Sequence, residues 1–292
     1  MRNKILGSFE LVLNGGLGNQ LFGYAAGKSI EAATGLRCHF IGPSKYDRPF
    51  ELHNFGIECF SQTASHVNPF SRKLSQRILN KLVPDSFRYA ETSFRFDQRF
   101  YENPEGQTLR GYFQSHLYLK NIESELLSLP NRHLPFSTQF KSLDIKWGSQ
   151  KFVAVHVRRG DYLGKENYHG IASSTYLEAA REMILELKPD AEFVVFSDSI
   201  EIAKQDFPYA AKYVSESDLA KPSENMILMS RMGGLIASNS SFSWWVGFLN
   251  RHSETNIFPY PWFANPNLDT SDLLPEKWSK VSSGIQGSEQ FD

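Results

Sequence analysis

Cysteine is nearly absent: Cys38 and Cys59 are the only two in 292 residues. Two thiols cannot build the disulfide framework of a small secreted domain, and each fits a structural thiol in a reducing compartment. No stretch approaches the ~20 apolar residues that a membrane-crossing helix needs. The opening MRNKILGSFELVLNGG carries no apolar run of signal-peptide length before Gly15, so a cytoplasmic protein is expected. No excess of one charge exists either. The formal net charge is −1, so no global field draws nucleic acid, and anions must be recognised by a few well-placed arginines. Several chemical signatures are missing as well. There is no D-x-D triplet to hold a divalent metal under a nucleotide diphosphate, no His/Cys cluster with zinc spacing and no G-x-S-x-G nucleophile turn. No metal and no cofactor are expected.

What is present is an ordinary globular composition, 41% hydrophobic and 22% charged, on a chain long enough for two modest α/β domains. Phe9 to Leu13 reads as a buried strand, followed by the loop Asn14–Gln20, a helix to Thr34 with Gly35 as its stop, and a second strand Arg37–Ile41. Residues 43–110 read as irregular with short helices. In the second half, strands are expected at Phe152–Val157, Phe193–Ser197, Lys212–Ser215, Leu235–Ser238 and Asn256–Pro259. Helices near 174–188, 199–206, 223–232 and 241–251 alternate with them, which implies a parallel sheet covered on both faces. The domains are taken as 1–148 and 149–281, two α/β layers with a ligand cleft between them, followed by a disordered polar tail, 282–292.

Four segments carry candidate chemistry. His156-Val157-Arg158-Arg159-Gly160-Asp161-Tyr162 closes a predicted strand, at the sheet edge where ligands bind. Its arginines suit phosphate oxygens, although a surface ion-pair cluster would read the same way. Ser238-Asn239-Ser240-Ser241-Phe242-Ser243 leads from a strand into a helix. Ser240 or Ser241 can cap that helix, and its first N–H groups offer an anion site. Gly15-Gly16-Leu17-Gly18-Asn19-Gln20 lets backbone approach a ligand, but it matches neither the dinucleotide fingerprint nor a P-loop. Asp198, at the end of Phe193–Ser197, can meet a ribose hydroxyl or base edge, or simply cap the next helix. Outside these segments, residues 71–83 place Arg72, Lys73, Arg77 and Lys81 among leucines and isoleucine. That pattern fits a surface helix with one face on the core, or a peripheral contact with an anionic membrane.

Taken together, GGLGNQLFGYAAG, GYFQSHLYL, HVRRGDY, FSDS, SNSSFSWW and LLPEKW resemble the α-1,2-fucosyltransferases over about residues 10–281. HVRRGDY and SNSSFSWW, about 80 residues apart, carry most of the specificity. The resemblance implies a GT-B-like α/β fold, two Rossmann-like domains facing across a cleft. It also implies metal-independent, inverting transfer of fucose from GDP-β-L-fucose to the 2-hydroxyl of a galactose-terminated oligosaccharide or lipid-linked glycan. It assigns donor binding to Gly18, Asn19, Gln20, His156, Arg158, Arg159, Asp198, Asn239, Ser240, Ser241 and Phe242. Catalysis falls to Arg158, which neutralises the leaving diphosphate, with Asp161, Glu166 and His169 as the candidates for proton uptake. The sequence departs from the family pattern at Ser199, Asn225, Met232 and Gly234. The rival readings are another fucosyl linkage, α-1,6 or O-linked, and a nucleotide-sugar-binding protein without turnover.

Overall fold

The computed structural model describes residues 7–43, 48–62, 88–133, 135–160, 170–215, 218–219, 221–250 and 253–285. They fall into two compact units, Met1–Arg132 with Thr270–Leu274, and His133–Asp269 with Pro275–Asp292. The expected amphipathic helix at 71–83 lies outside the described residues. Among the described residues, no helix is long and apolar enough to cross a membrane.

The first unit is built on a five-stranded parallel sheet of order β3-β2-β1-β5-β4. The strands are β1 (Ser8–Val12), β2 (Arg37–Gly42), β3 (Ser61–Gln62), β4 (Arg88–Ala90) and β5 (Thr108–Arg110). Leu11 of β1 sits between Phe40 and Leu109 in register, so the apolar centre of the sheet is one row. Helix α1 (Leu17–Thr34) crosses from β1 to β2 and ends at Gly35, whose φ of 72° lets its N–H close on Glu31 O. The irregular stretch expected at 43–110 therefore contains three strands. At two or three residues each, they are too short for a period-2 pattern to register.

In the second unit, six parallel strands lie in the order β11-β10-β9-β6-β7-β8. They are β6 (Phe152–Val157), β7 (Glu192–Ser197), β8 (Ala210–Ser215), β9 (Leu235–Ile236), β10 (Asn256–Tyr260) and β11 (Ser279–Ser282). Every residue of β6 is buried, as a strand covered on both faces requires. The helices of this unit are α2 (Thr138–Trp147), α3 (Ser174–Leu187), α4 (Ile200–Asp206), α5 (Pro222–Ser230) and α6 (Ser241–Leu249). Val153, Val155, Val195, Ile236 and Ile257 form one face of the core with Tyr176 and Ile184 of α3. The Tyr176 hydroxyl donates to the carbonyls of Ala237 and Ile257.

Two boundaries differ from expectation. The unit border lies at Arg132/His133 rather than 148/149, because α2 belongs to the second unit. Ser137 donates through its N–H and its hydroxyl to the buried Glu224 carboxylate of α5, at 2.7 Å each. The segment 282–285, expected as the start of a disordered tail, is ordered. Ser282 ends β11, Ser283 N donates to Tyr260 O, and Ile285 is buried. Backbone pairing and one anchored isoleucine outweigh the polar composition there. Residues 286–292 lie outside the described set.

Candidate functional site

Both sheets reverse direction at a central strand. In the second unit the chain runs β6, β7, β8 to one side and β9, β10, β11 to the other. The switch between β6 and β9 is where an open parallel sheet accepts a ligand, outside the carboxyl ends of its strands. The segments after β6, β7 and β9 are the ones singled out by sequence, and the fold brings all three to this edge.

Asp198, just beyond β7, organises the turn after β6. Its carboxylate accepts the N–H of Arg159 and of Gly160, each at 3.0 Å, and pairs with Arg158 Nη1 at 3.0 Å. A Cβ at Gly160 would lie 2.6 Å from Asp198 Oδ2, so the approach needs glycine. Asp198 thus spends its oxygens on the turn itself. Arg158 keeps a fifth of its side chain exposed at the sheet edge.

Arg159 points the other way. It is 5% exposed, and its guanidinium donates to Asp206, to the Arg158 carbonyl and to the Ala172 carbonyl. The two arginines divide the work, one toward solvent and one into the fold. Asp206 was missed by sequence reading. An acid at the last residue of a helix opposes the helix dipole, and that misplacement was the available signal of a cationic partner.

After β9, Ser240 caps α6, its hydroxyl accepting the Phe242 N–H at 3.2 Å. Asn239 is buried and donates to the carbonyls of Gly170 and Trp262. Ser241 and Phe242 are half-buried and begin the helix. His156 is buried on β6 with its ring 5.3 Å from that of Phe242. Its Nδ1 lies 2.5 Å from Ser243 Oγ and 3.0 Å from Ser238 Oγ, and Ser238 N donates to Ser243 Oγ. Burial, reinforced by the Arg158 charge and opposed by Asp198, pushes the imidazole down to about 3. A neutral His156 therefore ties β6 to the first turn of α6. The first-turn N–H groups of α6 and the Arg158 guanidinium supply positive potential at this edge, suited to an anion.

The first unit carries a parallel device. Asn14 Nδ2 donates to Gly111 O, and Gln114 Nε2 donates to Asn19 Oδ1 at 2.8 Å, which joins the loops after β1 and β5. Gln20 is fully buried and makes three backbone bonds, to Gly15 O, Pro49 O and Glu51 N. Gly18 is buried in the first turn of α1. Beyond β4, Glu91 Oε2 accepts the N–H of Tyr112 and of Phe113, and a Cβ at Gly111 would lie 2.6 Å from the Glu91 side chain. Among the described residues Glu91 Oε1 is buried with no hydrogen-bond partner, and burial pushes its carboxyl up to about 7. Phe113 is held at φ 53°, a conformation costly for a residue with a side chain. Asp161, Glu166 and His169 lie outside the described residues.

The family described as Glycosyl transferase family 11 matches residues 2–282. An alpha-1,2-colitosyltransferase of Escherichia coli is 29% identical over 290 residues, covering 92% of this chain and 97% of the relative. The O-antigen biosynthesis glycosyltransferase WbnK of Escherichia coli is 28% identical, with 91% and 98% covered. Among solved structures, the fucosyltransferase NodZ from Bradyrhizobium superposes at a TM-score of 0.45 with 14% identity, covering 82% of this chain and 92% of that one. The ADP-heptose lps heptosyltransferase II of E. coli gives a TM-score of 0.47 with 12% identity, covering 94% and 90%.

Proposed function

The chain belongs to glycosyl transferase family 11, and from that premise we propose that it moves L-fucose from GDP-β-L-fucose to the 2-hydroxyl of a terminal galactose. The observation that carries this reading is the anion-suited edge at the β6–β9 switch. There Arg158, aimed by Asp198, stands with the capped start of α6. In the reaction the bond from the fucose C1 to the diphosphate oxygen breaks. The bond from C1 to the acceptor oxygen forms, the acceptor hydroxyl loses its proton, and GDP leaves with the electron pair. Arg158 and the α6 N–H groups stabilise the negative charge that develops on the leaving diphosphate. Arg159, His156 and Asn239 hold these two elements in place. Asp161, Glu166 and His169 are the candidates to take up that proton, and a strongly dissociative transfer needs no strong base among them.

The name of one relative favours a second donor, a nucleotide-activated colitose, with the same α-1,2 linkage. The name of the other favours an acceptor in a surface polysaccharide.

Mass spectrometry of purified protein with GDP-fucose, lactose or a galactose-ended panel, and excess EDTA tests the reading. The expected product is heavier by one deoxyhexose, and linkage analysis places it at the 2-position. Arg158→Ala keeps its fold and loses about 10²–10³ in rate, the usual cost of one such donor. Near-normal turnover in that variant refutes the role of Arg158. Tight GDP-fucose binding by the wild type without transfer to any acceptor supports the non-catalytic alternative.

A further inference from the structure

Among the described residues of the second unit, several large apolar side chains are exposed. Ile145, Leu187 and Tyr209 sit just ahead of β6, β7 and β8, toward the amino edge of the sheet. Tyr260 differs. It ends β10, at the carboxyl edge, and is 52% exposed.

Its direction follows from its neighbours. Phe258 faces α6, stacking on Trp278 with centroids 4.3 Å apart, and a Cβ at Gly247 would collide with its ring. Side chains alternate along a strand, so Tyr260 shares the Phe258 face. Two strand residues advance about 6.6 Å, the rise of about four helical residues. That step leads from the level of Gly247 back to the first turn of α6, at Ser243. The chain just past Tyr260 is also tied to the residue ahead of the α6 cap, because Asn239 Nδ2 donates to Trp262 O at 3.1 Å. Phe242, in the first turn of α6, packs on His156 of β6, while Tyr260 ends β10, which lies on the other side of β9.

The strand order decides which part of a ligand reaches Tyr260. Counted from β6, it is the 3-2-1-4-5-6 order of doubly wound nucleotide-binding sheets. There, phosphates lie at the switch point and the ribose lies toward the second strand, here β7. Whatever follows the diphosphate extends toward β9 and β10. We infer that Tyr260 is a specificity-determining contact for the transferred sugar, its ring packing on the C–H face and C6 methyl of a 6-deoxyhexose. This rests on the GDP-sugar reading above. It assigns Tyr260 to the sugar and not to the nucleotide.

The test compares wild type, Tyr260→Ala and Tyr260→Phe by the KM for GDP-fucose, the inhibition constant of GDP and the KM for the acceptor. Tyr260→Ala is expected to raise the donor KM about three- to tenfold, the weight of one aromatic contact, and to leave GDP inhibition unchanged. Tyr260→Phe, which keeps the ring, stays near wild type. A loss of GDP affinity equal to the loss for GDP-fucose overturns the inference in favour of base stacking. An effect on acceptor KM alone overturns it in favour of an acceptor contact, and no effect on any constant removes Tyr260 from the site. A wild-type protein that ignores GDP fails the donor reading itself, and a variant that ignores it while wild type binds fails only this inference.

Discussion

Removing the Asp198 carboxylate should cost both stability and donor affinity, and the size of each can be worked from its contacts. Asp198→Ala deprives three donors of their acceptor: Arg159 N, Gly160 N and Arg158 Nη1, each at 3.0 Å. Gly160 is exposed, so water replaces its lost bond at little cost. Arg159 is 5% exposed, and leaving its N–H unpaired costs about 1–3 kcal/mol. The Arg158 guanidinium keeps a fifth of its surface in water, so losing its partner adds about 1 kcal/mol rather than the larger penalty of a sealed pair. The total is about 2–4 kcal/mol, which a protein of ordinary stability, about 5–15 kcal/mol, survives. Urea unfolding at neutral pH should show a lowered midpoint with an unchanged slope. Calorimetric titration with GDP should show a more than tenfold weaker complex. A double-mutant cycle with Arg158→Ala should give a coupling of about 1 kcal/mol, since the two side chains touch. A stability change under about 0.5 kcal/mol, together with unchanged GDP affinity, would refute the view that Asp198 builds this turn.

Two pH-dependent outcomes follow from groups displaced in opposite directions. Glu91 is raised from 4.5 to about 7 by burial, so its contribution is full below 4.5 and is lost as pH rises through 7, about 3 kcal/mol across the window. Urea midpoints of Glu91→Gln, measured from pH 4.5 to 8, should lack that decline, and a parallel decline in the variant would contradict it. His156 is lowered from 6.5 to about 3, so its contribution is present above 6.5 and is lost as pH falls toward 3, on the order of 5 kcal/mol. His156→Asn should destabilise at pH 7 yet flatten the acid limb of the same curve, and an unchanged limb would assign acid sensitivity to other groups.

The long elements were legible in the sequence because their patterns are strong. Phe152–Val157 is apolar at every position but His156, and α1 opens after a glycine-rich loop and closes on Gly35. The short strands β3, β4 and β5 were not, since their pairing comes from neighbours and not from their own composition. The polar β11 escaped for the same reason, held by β10 and by the bond from Ser283 N to Tyr260 O. At the site, the chemistry of HVRRG was readable, but the division of labour between its arginines was not. Which of Arg158 and Arg159 turns inward depends on Asp206 and the Ala172 carbonyl, which lie far along the chain from them. Asp198 looked like a ligand contact or a cap, and its bonds to backbone N–H groups could not be foreseen without the register of β6 against β7.

The acid-and-glycine pairs in the two units constrain how this chain can change over generations. At Asp198 with Gly160, and at Glu91 with Gly111, each partner blocks the loss of the other. An alanine introduced first meets the carboxylate, while an acid lost first strands the N–H groups that it served. Each single step at either pair carries a cost in stability, so variation is biased toward positions that these acids do not hold. A library aimed at new acceptors or donors would lose its least stable members at 111, 160, 91 and 198. It would keep more of its members by sampling exposed positions such as Tyr260.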